Sequence, residues 1–213
     1  MQTEPLNAQR LAHLAAELAG KDEHLLGILK TFGNPPLWRR PATFATLVRI
    51  ILEQQVSLKS ADAMCRRLQT AITPFTPLSL ITAGPDYLRK LGVTRQKTAY
   101  LLHLSSAIVD GDLNLRKLRR MSDADAKAAL MKIKGLGSWS ADVYLLMAMC
   151  RADIWPAGDL ALAVAVMELN QLKQRPTFAE LEEIAEKWRP HRAVAARMLW
   201  QYYLGRRSRN GAT

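Results

Sequence analysis

Two short segments hold the residue types on which chemistry could turn. Asp159 follows the turn Trp155-Pro156-Ala157-Gly158 and precedes the apolar run Leu160 to Leu169, where a helix N-cap is expected. The N–H groups and dipole of a helix start favour an ionised carboxylate, and such a group can stabilise a cationic centre such as an oxocarbenium sugar. Simple capping explains an aspartate here too, and the two roles are compatible if one oxygen caps while the other faces a substrate. The second segment runs from Ile133 to Ala141, where Gly135 and Gly137 flank Leu136 between two helical stretches. Glycines let backbone approach a phosphate, and the helix start behind them aims N–H groups at it, with Leu136 anchoring the turn in the core. A plain tight turn accounts for an isolated Gly-x-Gly equally well.

The charge balance bears on that choice. Thirty Lys and Arg face nineteen Asp and Glu in 213 residues, a formal charge of +11, which favours a polyanionic partner through counterion release. From Lys187 onward the chain has seven basic residues (Lys187, Arg189, Arg192, Arg197, Arg206, Arg207, Arg209) and no acid. These either meet a polyanion or, for Arg206 to Arg209, form a frayed solubilising tail. Lys132, Lys134, Arg95 and Lys97 are candidate phosphate contacts or ordinary solvated charges. Met1 to Arg10 lack the apolar core of a signal peptide, and no apolar run is long enough to span a bilayer. The expected place is intracellular: cytoplasmic in a bacterium, nuclear in a eukaryote. Cys65 and Cys150 sit in apolar helical stretches and read as small buried hydrophobes, and His13, His24, His103 and His191 have no metal-site spacing.

Helical periodicity recurs from end to end, while alternation with period two is absent, so an all-α fold is expected. Phe44, Leu47, Val48, Ile51, Leu52 and Gln55 form one helical stripe with a polar end. Ser122 with Asp125 opens a helix that Gly135 stops, and an apolar helix follows from about Ser140 to Cys150. Thr177 with Glu180 caps another, and the last runs from about His191 to Leu204, ending at Gly205. Trp38, Trp155 and Trp188 are assigned to core packing.

The hairpin with its distal Asp159, together with Ile51-Leu52-Glu53-Gln54-Gln55-Val56-Ser57 and Trp188-Arg189-Pro190-His191-Arg192 through Leu199-Trp200, resembles the helix-hairpin-helix DNA glycosylases. Within them the chain is similar to the 3-methyladenine DNA glycosylase II type, over roughly residues 40 to 204. The resemblance implies two helical lobes with the active-site cleft between them. Lobe one would be about 41–150 including the hairpin 133–141, and lobe two about 1–40 plus 151–213.

It further implies a monofunctional enzyme that flips alkylated purines of the 3-methyladenine and 7-methylguanine type from double-stranded DNA and hydrolyses their N-glycosidic bonds. Asp159 would be the catalytic carboxylate, Gln55 the wedge filling the vacated space, and Trp139 and Trp200 the aromatic base pocket. Gly135, Gly137, Ser140 and Lys134 would hold the phosphate. In lyase-competent relatives the Trp139 position carries a Schiff-base lysine, and an indole cannot do that chemistry. The alternatives are a bifunctional glycosylase and lyase for other damaged bases, or a non-catalytic DNA-binding module. A monomer is expected. No cofactor is required and no iron-sulfur cluster fits two cysteines, while the carbonyls of Met131, Ile133 and Leu136 are implied ligands of a structural Na or K ion. Val143 and Leu160 stand where alkylation-repair relatives can carry aromatics, which leaves the pocket's shape open.

Overall fold

The computed structural model describes residues 4–210, with side chains through Ser208, so Met1–Thr3 and the Arg209 side chain lie outside the described residues. The fold is all-helical, and no strand occurs among the described residues. In chain order the helices are α1 (Ala8–Ala19), α2 (Glu23–Phe32), α3 (Phe44–Glu53), α4 (Leu58–Ala71), α5 (Pro77–Lys90) and α6 (Arg95–Val109). There follow α7 (Leu115–Leu118), α8 (Asp123–Met131), α9 (Ser138–Met147), α10 (Leu160–Leu169), α11 (Phe178–Glu186) and α12 (Arg192–Asn210). None of the described helices is long and apolar enough to cross a membrane. The chain divides into two compact units, one formed by residues 40–149 and the other by 1–39 with 150–213.

The 40–149 unit is organised on α3, which packs on α4, α6 and α9. Its apolar stripe is buried as the periodicity predicts, from Phe44 through Leu52. Glu53 at its end is also buried, and it is held there by the Arg40 guanidinium at 2.8 and 3.0 Å and by Arg49 at 2.9 Å. An unpaired carboxylate in that position would be costly, so these charge-assisted bonds are what permit its burial. The helix stops at Glu53, and Gln55 is therefore not on the stripe: it lies in the following turn, exposed, with φ 57°. Ser122 caps α8 by accepting the Asp125 N–H. Helix α9 begins at Ser138, two residues before the start that the apolar run suggests, and residues Ser140 to Leu146 are all buried.

In the other unit, α12 packs on α1, α2 and α10. Trp155 and Trp188 are core residues, paired at 5.4 Å. Thr177 and Glu180 form the capping box of α11. Helix α12 does not end at Gly205 but runs on to Asn210. The glycine is used for close approach instead, since a Cβ there would fall 2.3 Å from the Phe32 ring. The basic C-terminal run is largely consumed by the unit itself. Lys187 pairs with Asp22 at 2.8 Å, Arg189 and Arg192 share Asp153 and Glu186, and Arg207 stacks on Tyr203 and reaches Glu168 at 3.9 Å. Sequence alone showed the bases without the distant acids that neutralise them. Arg206 and Arg207 are part of the helix and not a frayed tail.

Candidate functional site

Asp159 sits at the N-cap of α10, between exposed Gly158 and exposed Leu160, with its own side chain half-buried. Its Oδ1 accepts the N–H groups of Ala161 at 2.9 Å and Leu162 at 3.1 Å, which is the capping pattern. A third donor reaches the same oxygen: Trp200 Nε1, at 3.0 Å, from α12. Three donors on one oxygen fix the carboxylate's rotation, so capping and orientation are a single device. The Trp200 ring is mostly enclosed, 8% exposed, and meets the Trp38 ring edge-on at 6.3 Å. Trp200 therefore serves first as an orienting partner of Asp159, and the more open indole of the pair is Trp38, which sequence reasoning placed in the core.

In the other unit the hairpin has the form the two glycines predict. Gly135 has φ 97°, and a Cβ would collide with Tyr100 at 2.3 Å, so glycine is required there for conformation and for space. Leu136 is buried and donates its N–H to the Ile133 carbonyl at 2.9 Å. Gly137, the N-cap of α9, provides no side-chain cap, and nothing lies within 4 Å of where its Cβ would be. The first turn of α9 thus opens onto bare space, a geometry suited to an anion. Lys134 beside it is exposed. The Ser140 side chain does not fit the phosphate role: it is 3% exposed and its Oγ accepts from Gln54. Any contact from Ser140 falls to its backbone N–H in the first turn of α9.

Gln54 is a functional residue that periodicity missed. Its Nε2 donates to the Gly135 carbonyl at 2.8 Å and to Ser140 Oγ at 3.0 Å, tying the turn after α3 to the hairpin. The glutamine with internal partners is therefore Gln54, which is half-buried, while Gln55 projects to solvent beside exposed Val56 and Leu58. Lys97 also has a different part from the one its charge suggested. Its Nζ donates to the carbonyls of Leu52 at 2.7 Å and Gln54 at 2.8 Å, and burial pushes its pKa below the ordinary lysine value. It closes the end of α3 rather than waiting for a phosphate, whereas Arg95, Lys132 and Lys134 are exposed. Trp139, in the first turn of α9, is half-buried, and Val143 is buried. No group of three or more His, Cys, Asp or Glu among the described residues could hold a metal, and Cys65 and Cys150 are buried thiols whose pKa values burial pushes up.

Comparison with known proteins gives these features a frame. A DNA-3-methyladenine glycosylase of Bacillus subtilis is 25% identical over 175 residues, covering 76% of this chain and 57% of its own length. A second B. subtilis relative is 26% identical over 185 residues, covering 83% of this chain and 64% of its own, so the chain spans less than two thirds of either. The solved 3-methyladenine DNA glycosylase Mag1 of fission yeast, in complex with abasic DNA, superposes with a TM-score of 0.81 at 25% identity, over 89% of this chain and 95% of that one. Residues 48–191, about two thirds of the sequence, match one family model from α3 to the start of α12, and by that match the chain belongs to the HhH-GPD superfamily of base excision DNA repair proteins.

Proposed function

We propose that the protein is a monofunctional DNA glycosylase that removes alkylated purines from duplex DNA. The observation that carries this reading is the Asp159 carboxylate, held at a helix mouth by three N–H donors on one oxygen and flanked by the exposed residues Gly158 and Leu160. Bond cleavage at the anomeric carbon develops positive charge on the sugar, and a fixed carboxylate stabilises that charge without reorganising. Water oxygen bonds to the anomeric carbon, the C–N electron pair leaves with the base and cancels its positive charge, and the water's proton is released. An N-alkylated purine is already an activated leaving group, so a dedicated general acid is not needed.

The other unit supplies what holds the DNA. Backbone N–H groups at the start of α9, with Gly137 in front of them, receive a phosphate, and Lys134 adds charge. Gln55 enters the duplex: it is exposed, in the turn after α3, and followed by exposed apolar Val56 and Leu58, which suit the space left by an extruded nucleotide. The carbonyls of Met131 at the end of α8, of Ile133 just beyond it and of Leu136 in the hairpin are of the donor type that holds Na or K. Each keeps a lone pair for it even where, as at Ile133, an N–H is already accepted. Such an ion would add positive charge near the phosphate. Trp139 in the first turn of α9 has no amine, so strand cleavage through a Schiff base does not follow base loss.

The test is chromatography of bases released from methylated duplex DNA. The wild-type protein should release 3-methyladenine and 7-methylguanine, and Asp159→Asn should release neither above background. Strand nicking without added alkali, at the rate of base loss, would replace this reading with the bifunctional one; equal release by both proteins would reduce the chain to a binding module.

A further inference from the structure

Trp38 lies in the non-helical stretch between α2 and α3 and adopts φ 44°, a left-handed conformation that bulky L residues rarely hold unless their surroundings impose it. Here the surroundings do. Helix α12 fastens the end of α2 and the stretch after it: Gln201 Nε2 donates to the carbonyls of Phe32 at 2.9 Å and Asn34 at 3.3 Å, and Arg197 Nε donates to that of Leu37 at 3.1 Å. Arg197 is fully enclosed and gives a second bond to the Ala193 carbonyl at 3.0 Å. Burial lowers its pKa to about 10, which leaves it charged at neutral pH, a costly group to place where an aliphatic side chain would pack. Its return is the fixing of the residue immediately before Trp38. Trp200, one turn further along α12, meets Trp38 edge-on at 6.3 Å and 69° and holds Asp159.

We propose that Trp38 is the aromatic surface against which the extruded base stacks, and that Arg197 is a positioning residue that sets it beside Trp200, the ring that holds Asp159. This rests on the glycosylase reading. Of the two paired indoles Trp200 is enclosed with its N–H committed to Asp159, so the more exposed ring of the pair is that of Trp38, half-buried and one ring removed from the carboxylate. An indole face attracts cations, so it favours a positively charged alkylated purine over its neutral parent.

Two measurements on the full chain test this. Calorimetric titration with 7-methylguanosine and guanosine should show wild-type preference for the methylated, cationic nucleoside. Trp38→Ala should abolish that preference, Trp38→Phe and Arg197→Lys should retain most of it, and Arg197→Leu should reduce it. Single-turnover release of 7-methylguanine from duplex should fall about tenfold in Trp38→Ala, as expected for one lost stacking partner, with Trp38→Phe staying near wild type. A purely structural role would lower melting temperature without altering the nucleoside preference. An unchanged preference in a folded Trp38→Ala, or no nucleoside binding by the wild-type protein, overturns the proposal. If Asp159→Asn abolishes base release while Trp38→Ala does not affect it, the proposal fails and the glycosylase reading stands. If the wild-type protein releases no base, that reading fails, and the calorimetry still decides whether Trp38 selects the cationic ring.

Discussion

Gln54 Nε2 donates to the carbonyl of Gly135 at 2.8 Å, so the turn that presents Gln55 and the glycine hairpin are parts of one hydrogen-bonded assembly. Lys97 extends it by holding the Gln54 carbonyl at 2.8 Å. The two adjacent glutamines thus have opposite duties, one internal and one outward, and substitutions should separate them.

Gln54→Ala should destabilise the protein by about 1 kcal/mol, because it leaves the part-buried Gly135 carbonyl without its donor. Gln55→Gly should raise stability by up to about 1 kcal/mol, since glycine relieves the positive φ. It should nonetheless weaken binding to damaged duplex. Urea unfolding and fluorescence anisotropy together check both; a stabilised Gln55→Gly with undiminished DNA affinity would remove the wedge role.

The glycines of the hairpin should also part company. Gly135→Ala forces a Cβ into Tyr100 and an L residue into a left-handed φ, at a cost of about 2 kcal/mol or more. Gly137→Ala meets nothing within 4 Å and should leave stability within about 0.5 kcal/mol of wild type. If Gly137 lies against a phosphate, that same substitution should weaken DNA binding severalfold, and unchanged affinity would show that no phosphate approaches it.

At Asp159 the cap and the charge are separable because asparagine caps a helix nearly as well as aspartate. Asp159→Asn should melt within a few degrees of wild type and bind DNA comparably, while Asp159→Ala should lose about 1 kcal/mol through the cap alone. Loss of fold in the asparagine variant would assign the residue to structure.

Asp22 provides a pH test. Burial would raise its pKa, but the bonds from Lys187, Trp188 and the Leu25 backbone prevail and hold it below the ordinary 3.8. A carboxyl with a depressed folded value stabilises the fold above 3.8 and loses that contribution as pH falls through the folded value. Denaturation between about pH 5 and pH 2 should therefore show a steeper decline for wild type than for Asp22→Asn. Parallel curves would mean the ion pair adds nothing.

Much of the architecture was legible in advance because it is local. The apolar stripe of α3, the Ser122 and Thr177 caps, the Asp159 cap and the glycine turn depend on residues a few positions apart, and their side-chain types specify them. The ends were less legible. Gly205 reads as a stop, yet α12 continues through it because Phe32, distant in sequence, needs the missing Cβ.

What the sequence determined by itself was an all-helical chain in which a capping aspartate, a glycine hairpin and a Gln-Gln turn coexist on a strongly basic background. Tertiary structure decided which of two neighbouring glutamines faces inward, that Trp200 spends its N–H on Asp159 while Trp38 keeps the more exposed ring of the pair, and that Lys97 and most of the C-terminal bases are already bonded within the protein. The physical reason is that orientation and neutralisation are set by partners far away along the chain, and periodicity carries no record of them.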